Sequence, residues 1–414
     1  MMADILTVSG LLPGLLAFVL AAVLVYLLTP SSRRLALHLG AVDLPEGRRA
    51  HGAPTPRLGG VALTLGAVVA VVLVMPVFMV SSVSEISPVR VAVFLSATAL
   101  IFATGFVDDV RGLKPGQKFL AQLVAAGTVL AVGGAIEHLT LPFVGPVDLG
   151  PAGYLVSLLW IVGITNAVNL IDGLDGLAGG VSLIIAGSIA IISLLQGSQP
   201  ATVLVAAALA GACLGFLPHN WTPASIFMGD SGSLTMGFTL AVLTHSSSIK
   251  SSTTVAILVP LLALGLPAID TLLVMVFRFA TGPQDSFTRR VGRMFKADRQ
   301  HVHHLLLNVA PKRGTVVVLL YAIVSVFCAA ALVASLTKNI PLGMALLLLE
   351  GGVIIVIRKA GMKAAARTLA ATQREEARKL LVPDEILPQE TYARARASAT
   401  TGRIQPMAAA SDDY

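Results

Sequence analysis

The sequence predicts an all-α, polytopic integral membrane protein with about eleven transmembrane helices, its N-terminus outside and its C-terminus inside. Composition is the first observation: 55% of the 414 residues are hydrophobic and only 12% are charged, where soluble domains carry roughly a quarter charged residues. The second is the recurrence of membrane-length apolar runs. The third is charge placement, since 26 of the 29 Lys and Arg residues fall on alternate connections and the C-terminal tail.

The runs follow in order. The first, 9–29, has Asp4 and no basic residue before it, so it reads as a retained span and not as a cleaved signal peptide. Runs at 58–80, 90–107, 119–136, 152–168, 174–195 and 201–218 each approach the ~20 residues a span needs. The run 234–246 is short, 253–279 is long, and 315–336 and 341–357 complete the set. With the N-terminus outside, the inside segments hold five basic residues in 30–57, three in 108–118, eight in 278–314 and ten in 358–414. The outside keeps Arg90, Lys250 and Lys338. Positive residues stay on the cytoplasmic side during insertion, and this fixes the orientation.

Two domains are expected: a transmembrane domain over 1–357 and a cytoplasmic tail over 358–414. The tail is Ala-, Arg- and Glu-rich; 360–382 reads as an amphipathic surface helix, and the chain from Pro383 as poorly ordered. Cys213 and Cys328 both lie inside apolar runs, so a disulfide framework is not indicated. The net charge of +7 is accounted for by loops that touch anionic headgroups, and no nucleic-acid partner is implied.

Acidic residues sit where such a chain should avoid them. An Asp near the bilayer core costs roughly 2.5–3.5 kcal/mol on insertion scales, so placement there points to function. Asp108 and Asp109 end the third run and precede Arg111, Lys114 and Lys118. Neighbouring helical residues point about 100° apart, so one carboxylate can face a metal or substrate while the other acts as base or orients it. Pairing with the nearby basic residues is the structural alternative. Asn166, Asn169, Asp172 and Asp175 recur at every third position beside Gly173 and Gly176, a pattern that lets a ligand approach the backbone. Met228-Gly229-Asp230-Ser231-Gly232-Ser233 places a carboxylate in a small-residue turn, suited to Mg²⁺ held by one or two carboxylates with waters and phosphate oxygens. His301, His303 and His304 lie beside Arg299 without a nearby cysteine and without the spacing of a zinc site, so contacts to a diphosphate fit better. Arg48, Arg49, His51 and Arg57 form a further basic turn that can grip phosphate or simply anchor the topology. Asp270 is read as the one acidic residue deeper in an apolar run. A transporter or flippase would need such residues near the midplane, whereas the clusters here sit at the cytoplasmic ends of spans.

Taken in order, Asp108-Asp109 with Leu113, Pro115 and Lys118, then Asn169-x-x-Asp172-Gly173-x-Asp175-Gly176, then Phe227-Met228-Gly229-Asp230-Ser231-Gly232-Ser233, then His301-Val302-His303-His304, resemble the polyprenyl-phosphate N-acetylhexosamine-1-phosphate transferase family. The resemblance covers about residues 10–357. It implies transfer of a sugar-1-phosphate from a UDP-sugar to a polyprenyl phosphate, with release of UMP, in the bacterial plasma membrane. It implies Mg²⁺ as cofactor, with Mn²⁺ as a stand-in, an active site on the cytoplasmic face, and is compatible with a homodimer. By motif match, Asp230 resembles the family's metal ligand and Asp108–Asp109 its catalytic acidic pair. Asn169, Asp172, Asp175 and Asn220 resemble nucleotide and sugar contacts, and Phe227 the aromatic that stacks on uracil. Lys118, His301, His303, His304, His51 and Arg57 are the expected contacts to phosphates. Muramyl-pentapeptide members have three consecutive histidines and Pro-Thr-Met-Gly-Gly. This chain has His301-Val302-His303-His304 and Pro56-Arg57-Leu58-Gly59-Gly60, which resemble the branch that uses UDP-GlcNAc to start envelope glycans.

Overall fold

The computed structural model describes residues 8–43, 54–81, 87–141, 145–197, 200–249, 255–280, 286, 289–290, 301–310 and 312–380. Helices α1 (Val8–Leu39), α2 (Gly59–Ser81), α3 (Pro88–Arg111), α4 (Pro115–Gly133), α5 (Ala152–Ile171), α6 (Leu177–Leu195) and α7 (Pro200–Asn220) account for the first seven runs. The rest of the chain folds into α8 (Gly229–Ile249), α9 (Val255–Ala263), α10 (Gly265–Ala280), α11 (Val302–Leu306), α12 (Arg313–Thr337) and α13 (Ile340–Leu380). Two small antiparallel pairs, β1 (Val42–Asp43) with β2 (Thr55–Pro56) and β3 (His138–Leu141) with β4 (Gly145–Asp148), were not foreseen from the sequence. The fold is thus all-α and polytopic, as expected. Among the described residues, eight helices are long and apolar enough to cross a membrane.

Two of the expected runs that fall short of that standard do so for physical reasons. Helix α8 is the hub of the bundle, packed against α2, α3, α5, α6, α7 and α9. Facing protein on all sides, it can carry buried Ser231, Ser233, Thr235, Thr239 and Thr244, which lower its hydropathy. Two of these hydroxyls are satisfied within the helix: Thr235 Oγ1 donates to Ser231 O (2.7 Å) and Thr239 Oγ1 to Thr235 O (2.8 Å). The run at 253–279, expected as one span, is instead broken at Leu264 between α9 and α10. Pro267 has no N–H to donate to the carbonyl of Ala263, so the helical hydrogen-bond ladder loses a rung at the break.

Helix α13 differs from expectation in the other direction. It runs unbroken from Ile340 to Leu380, through the boundary placed at 357/358, so the stretch 360–380 continues the last span instead of forming a separate helix. Its 41 residues make it about 60 Å long, twice the hydrocarbon thickness. It also buries Glu350 (1% exposed), a second acidic residue deep in an apolar run that corrects the reading of Asp270 as the single one.

Close backbone contact holds the centre together. A Cβ on Gly60 would lie 2.1 Å from Gly232 N, and one on Gly105 would lie 2.4 Å from Asp230 O. Only glycine lets α2 and α3 approach the start of α8 this closely.

Candidate active site

Four helix ends meet at one polar cluster. Asp108 closes α3, Lys118 lies in the first turns of α4, Asn169 near the end of α5, and Asp230 in the first turn of α8. Lys118 Nζ stands between the two carboxylates, 3.0 Å from Asp108 Oδ2 and 2.8 Å from Asp230 Oδ2. Asp108 Oδ1 accepts from the Leu113 backbone N–H (2.6 Å), inside the turn made by Gly112. Asn169 Nδ2 donates to Asp230 Oδ1 (3.2 Å) and to Ser233 Oγ (2.8 Å), tying α5 to α8. Lys118 and Asp230 side chains each keep 25% of their surface open, so a ligand can reach them.

Asp109 is built differently from its neighbour. It is 4% exposed, and its oxygens accept from the backbone N–H groups of Asp230 (2.8 Å) and Ser231 (2.9 Å). It therefore caps the N-terminus of α8, where a negative charge is favoured by the helix dipole. Gly229, at φ +72°, makes this possible, because a Cβ there would lie 2.6 Å from Asp109 Oδ2. Arg57 Nε donates to the Asp109 carbonyl (3.0 Å), so its link in the structure is to this backbone.

The Asn169–Gly176 segment divides in the same way. Asp175 Oδ2 accepts from Ala224 N–H (3.2 Å). Asn220 is 2% exposed; its Oδ1 accepts from Gly176 N–H (3.0 Å) and its Nδ2 donates to Ile226 O (2.9 Å). Both residues brace the loop before α8. Phe227 stands half-buried in that loop, its N–H donating to Pro56 O (2.7 Å). Asp172 follows the end of α5, half-buried, and burial together with the charges of Asp230, Asp109 and Asp175 pushes its carboxyl up to about 7. Asn166, one step back, exchanges hydrogen bonds with Gln122 of α4.

The histidine turn packs onto this loop. His303 is 3% exposed, and a Cβ on Gly173 would lie 2.5 Å from its Nε2, so Gly173 is where the two motifs meet. Burial, with His304 beside it, holds His303 down to about 3, so it is neutral near pH 7 and can exchange hydrogen bonds but does not bring a charge. The His303 and His304 rings lie 4.1 Å apart, centre to centre. His301 is not free to face a ligand through Nδ1, which lies 2.9 Å from Asp270 Oδ2. Asp270 also accepts from Val302 N–H (3.2 Å) and from Arg358 Nη1 (2.9 Å). By sequence Arg358 opens the tail and Asp270 lies deep in an apolar run; the structure makes them a buried brace beneath the histidine turn. His51 lies outside the described residues.

No group of three or more metal-binding side chains converges among the described residues. The donor set instead consists of two carboxylates, Asp108 and Asp230, facing one cation. This fits Mg²⁺, which takes one or two carboxylates and completes its shell with waters and phosphate oxygens.

The family profile described as "Glycosyl transferase family 4" matches residues 91–248, which carry Asp108, Lys118, Asn169 and Asp230. The chain is 35% identical over 318 residues to the Bacillus subtilis protein named "Probable undecaprenyl-phosphate N-acetylglucosaminyl 1-phosphate transferase", covering 77% of this chain and 84% of that one. It is 38% identical over 322 residues to the Mycobacterium tuberculosis "Decaprenyl-phosphate N-acetylglucosaminephosphotransferase", covering 73% and 77%. The B. subtilis "Phospho-N-acetylmuramoyl-pentapeptide-transferase" is 36% identical over 251 residues, covering 56% of this chain and 74% of that protein. The chain belongs to glycosyl transferase family 4, among its polyprenyl-phosphate N-acetylglucosamine-1-phosphate transferases.

Proposed function

We propose that this protein transfers GlcNAc-1-phosphate from UDP-GlcNAc to a polyprenyl phosphate, releasing UMP and leaving polyprenyl-diphospho-GlcNAc. The reading is carried by the alignment with N-acetylglucosamine-1-phosphate transferases along most of both chains, wider than that with the muramyl-pentapeptide relative. The setting is a bacterial plasma membrane with the carboxylate cluster on the cytoplasmic side, in keeping with the basic loops.

The reaction breaks one phosphoric anhydride bond and makes another between anions, so alignment and charge neutralisation carry most of the work. Asp108 and Lys118 meet the polyprenyl phosphate: the carboxylate accepts its proton or hydrogen bond, and the ammonium screens its charge. The phosphate oxygen then attacks the phosphorus that bears GlcNAc, and the bond to UMP breaks. Lys118 already bridges two carboxylates, so exchanging one for a phosphate preserves its pairing. Asn169 keeps Asp230 turned toward the cluster, and Asp109 fixes the α8 terminus on which Asp230 rides. Phe227, Asp172 and Asp175 receive the nucleotide and sugar on the loop that Asn220 braces. His303 and His304 exchange hydrogen bonds with the donor phosphates. Mg²⁺ would be held by Asp230, with Asp108 beside it, and would supply Lewis-acid polarisation of the donor diphosphate.

UMP release by the purified protein tests this, with one polyprenyl phosphate and either UDP-GlcNAc or UDP-MurNAc-pentapeptide. The expected preference for UDP-GlcNAc is at least ~100-fold in kcat/KM, equivalent to about 2.7 kcal/mol. EDTA should abolish turnover and Mg²⁺ restore it. Equal use of the muramyl donor would overturn the branch, and turnover unaffected by EDTA would overturn the metal.

A further inference from the structure

At the end of the bundle away from the carboxylate cluster, α2, α3, α4, α7 and α8 enclose an elongated cavity of about 920 Å³. Its inner end is formed by Leu63, Thr64, Thr98 and Thr235, and its outer end by Arg90, His245 and Ser246. Thr98 Oγ1 is spent on Phe94 O (2.8 Å) and Thr235 Oγ1 on Ser231 O (2.7 Å), while Thr64 Oγ1 is buried without a partner among the described residues. The inner part is thus mostly apolar, lined otherwise by Leu63, Ala67, Val68 and Leu209. The outer end is cationic and polar. His245 is 2% exposed, and its Nε2 has no hydrogen-bond partner among the described residues. Arg90 is one of three basic residues placed on that side by the charge distribution, so topology alone does not account for it.

The length of the cavity identifies its occupant. Along α8 the eleven steps from Thr235 to Ser246 advance about 16 Å, close to the ~15 Å of hydrocarbon in one leaflet. An apolar tube one leaflet deep, with an arginine and an unpartnered histidine at its mouth, matches a lipid whose acyl chain lies inside and whose phosphate stays at the rim. Arginine binds phosphate through paired N–H donors, and the rim is where such a charge remains hydrated. The polyprenyl acceptor is a different lipid in a different place. Its phosphate belongs at Asp108, and between the cavity and that cluster the backbones of α2, α3 and α8 touch at Gly60, Gly105 and Gly232.

We propose that this cavity is a binding site for one acyl chain of an anionic phospholipid from the leaflet opposite the carboxylate cluster, with its phosphate held by Arg90 and His245. The occupant would pack mostly against the side of α8 turned away from Asp230, so it would brace the hub helix from behind.

Native mass spectrometry of the detergent-purified full chain tests the site, using phosphatidylglycerol and phosphatidylcholine with identical acyl chains. The wild-type protein should retain phosphatidylglycerol at least ~10-fold better, a ratio set by 1.4 kcal/mol. Arg90→Gln should erase that preference, and Ala208→Phe, which fills the cavity wall, should weaken retention of both lipids. Equal retention of the two lipids by the wild type, or a preference that survives Arg90→Gln, would overturn the proposal. Displacement of phosphatidylglycerol by polyprenyl phosphate in an Arg90-dependent manner would overturn it too, by making the site part of the acceptor's path. Should Ala208→Phe fail to fold, the Arg90→Gln comparison decides alone.

Discussion

Asp230 and Asp270 are both carboxylates held by a basic side chain and a polar neighbour, yet they stand in opposite surroundings. Asp230 meets Lys118 and Asn169 with a quarter of its side chain open. Asp270 meets Arg358 and His301 with 2% of its surface exposed. The difference sets what each can do. An ion pair in contact with water contributes about 0–1 kcal/mol, so Lys118 can trade a carboxylate for a phosphate at little cost. A buried pair is locked, because removing one partner strands the other charge in a medium that cannot hydrate it. One cluster is therefore available to chemistry, and the other fixes the turn that presents His303 and His304.

Breaking the open cluster should cost the most activity and little stability. Asp230→Asn is expected to lower kcat by at least ~10³-fold, the scale for losing a main electrostatic group, with a thermal midpoint near wild type. A drop below tenfold would remove Asp230 from the reacting centre. Breaking the buried cluster should do the reverse. Arg358→Gln is expected to lose about 3–5 kcal/mol of stability in chemical denaturation, and Asp270→Asn combined with it should recover most of that loss, since neutral partners leave no stranded charge. Turnover per folded molecule should fall far less than in Asp230→Asn. If the double variant were no more stable than the single one, the pair would not be the reason the turn is held.

A finer comparison lies between adjacent residues. Asp108→Asn is expected to lower kcat by about 10²-fold without affecting folding, as loss of a proton acceptor does. Asp109→Asn should show first in stability, by about 0.5–2 kcal/mol, because it loses the charged cap on α8. Equal loss of both properties in the two variants would erase the distinction drawn from their hydrogen bonds.

The sequence made one side of these comparisons legible and hid the other. Asp108, Lys118, Asn169 and Asp230 sit at helix ends beside glycines, where a carboxylate is conspicuous in an apolar chain. The structure brings all four into one cluster. Their division of labour was not readable, since Asp108 and Asp109 are the same residue type one position apart and only the approach of α8 distinguishes them. Arg358 was invisible for a related reason. It looks like the first residue of a basic tail, and its partner Asp270 lies 88 positions earlier on another helix. The break at Leu264 could have been anticipated from Pro260 and Pro267, whereas Glu350 could not be placed against Gly265 without knowing that α13 crosses the break.

The smallest expected effect concerns Asp172, a carboxylate beside the open cluster with no cation paired to it among the described residues, where the contrast with Asp270 reverses sign. Burial and three neighbouring acids raise its carboxyl to about 7, against roughly 3.9 in an unfolded chain. Below about pH 4 both states carry the proton. Between there and pH 7 the folded state keeps a proton that the unfolded state has released, so stability falls as pH rises and levels off above pH 7. Asn holds the neutral form at every pH. Asp172→Asn should therefore raise the thermal midpoint measured without divalent cations, with a gain that grows from pH 5 to pH 8. Its size should stay near ~1 kcal/mol or less, because a half-buried carboxyl is screened by water. A gain that did not change with pH, or a loss at pH 8, would mean that the ionised carboxylate is paired after all and that this side of the site is locked like Asp270.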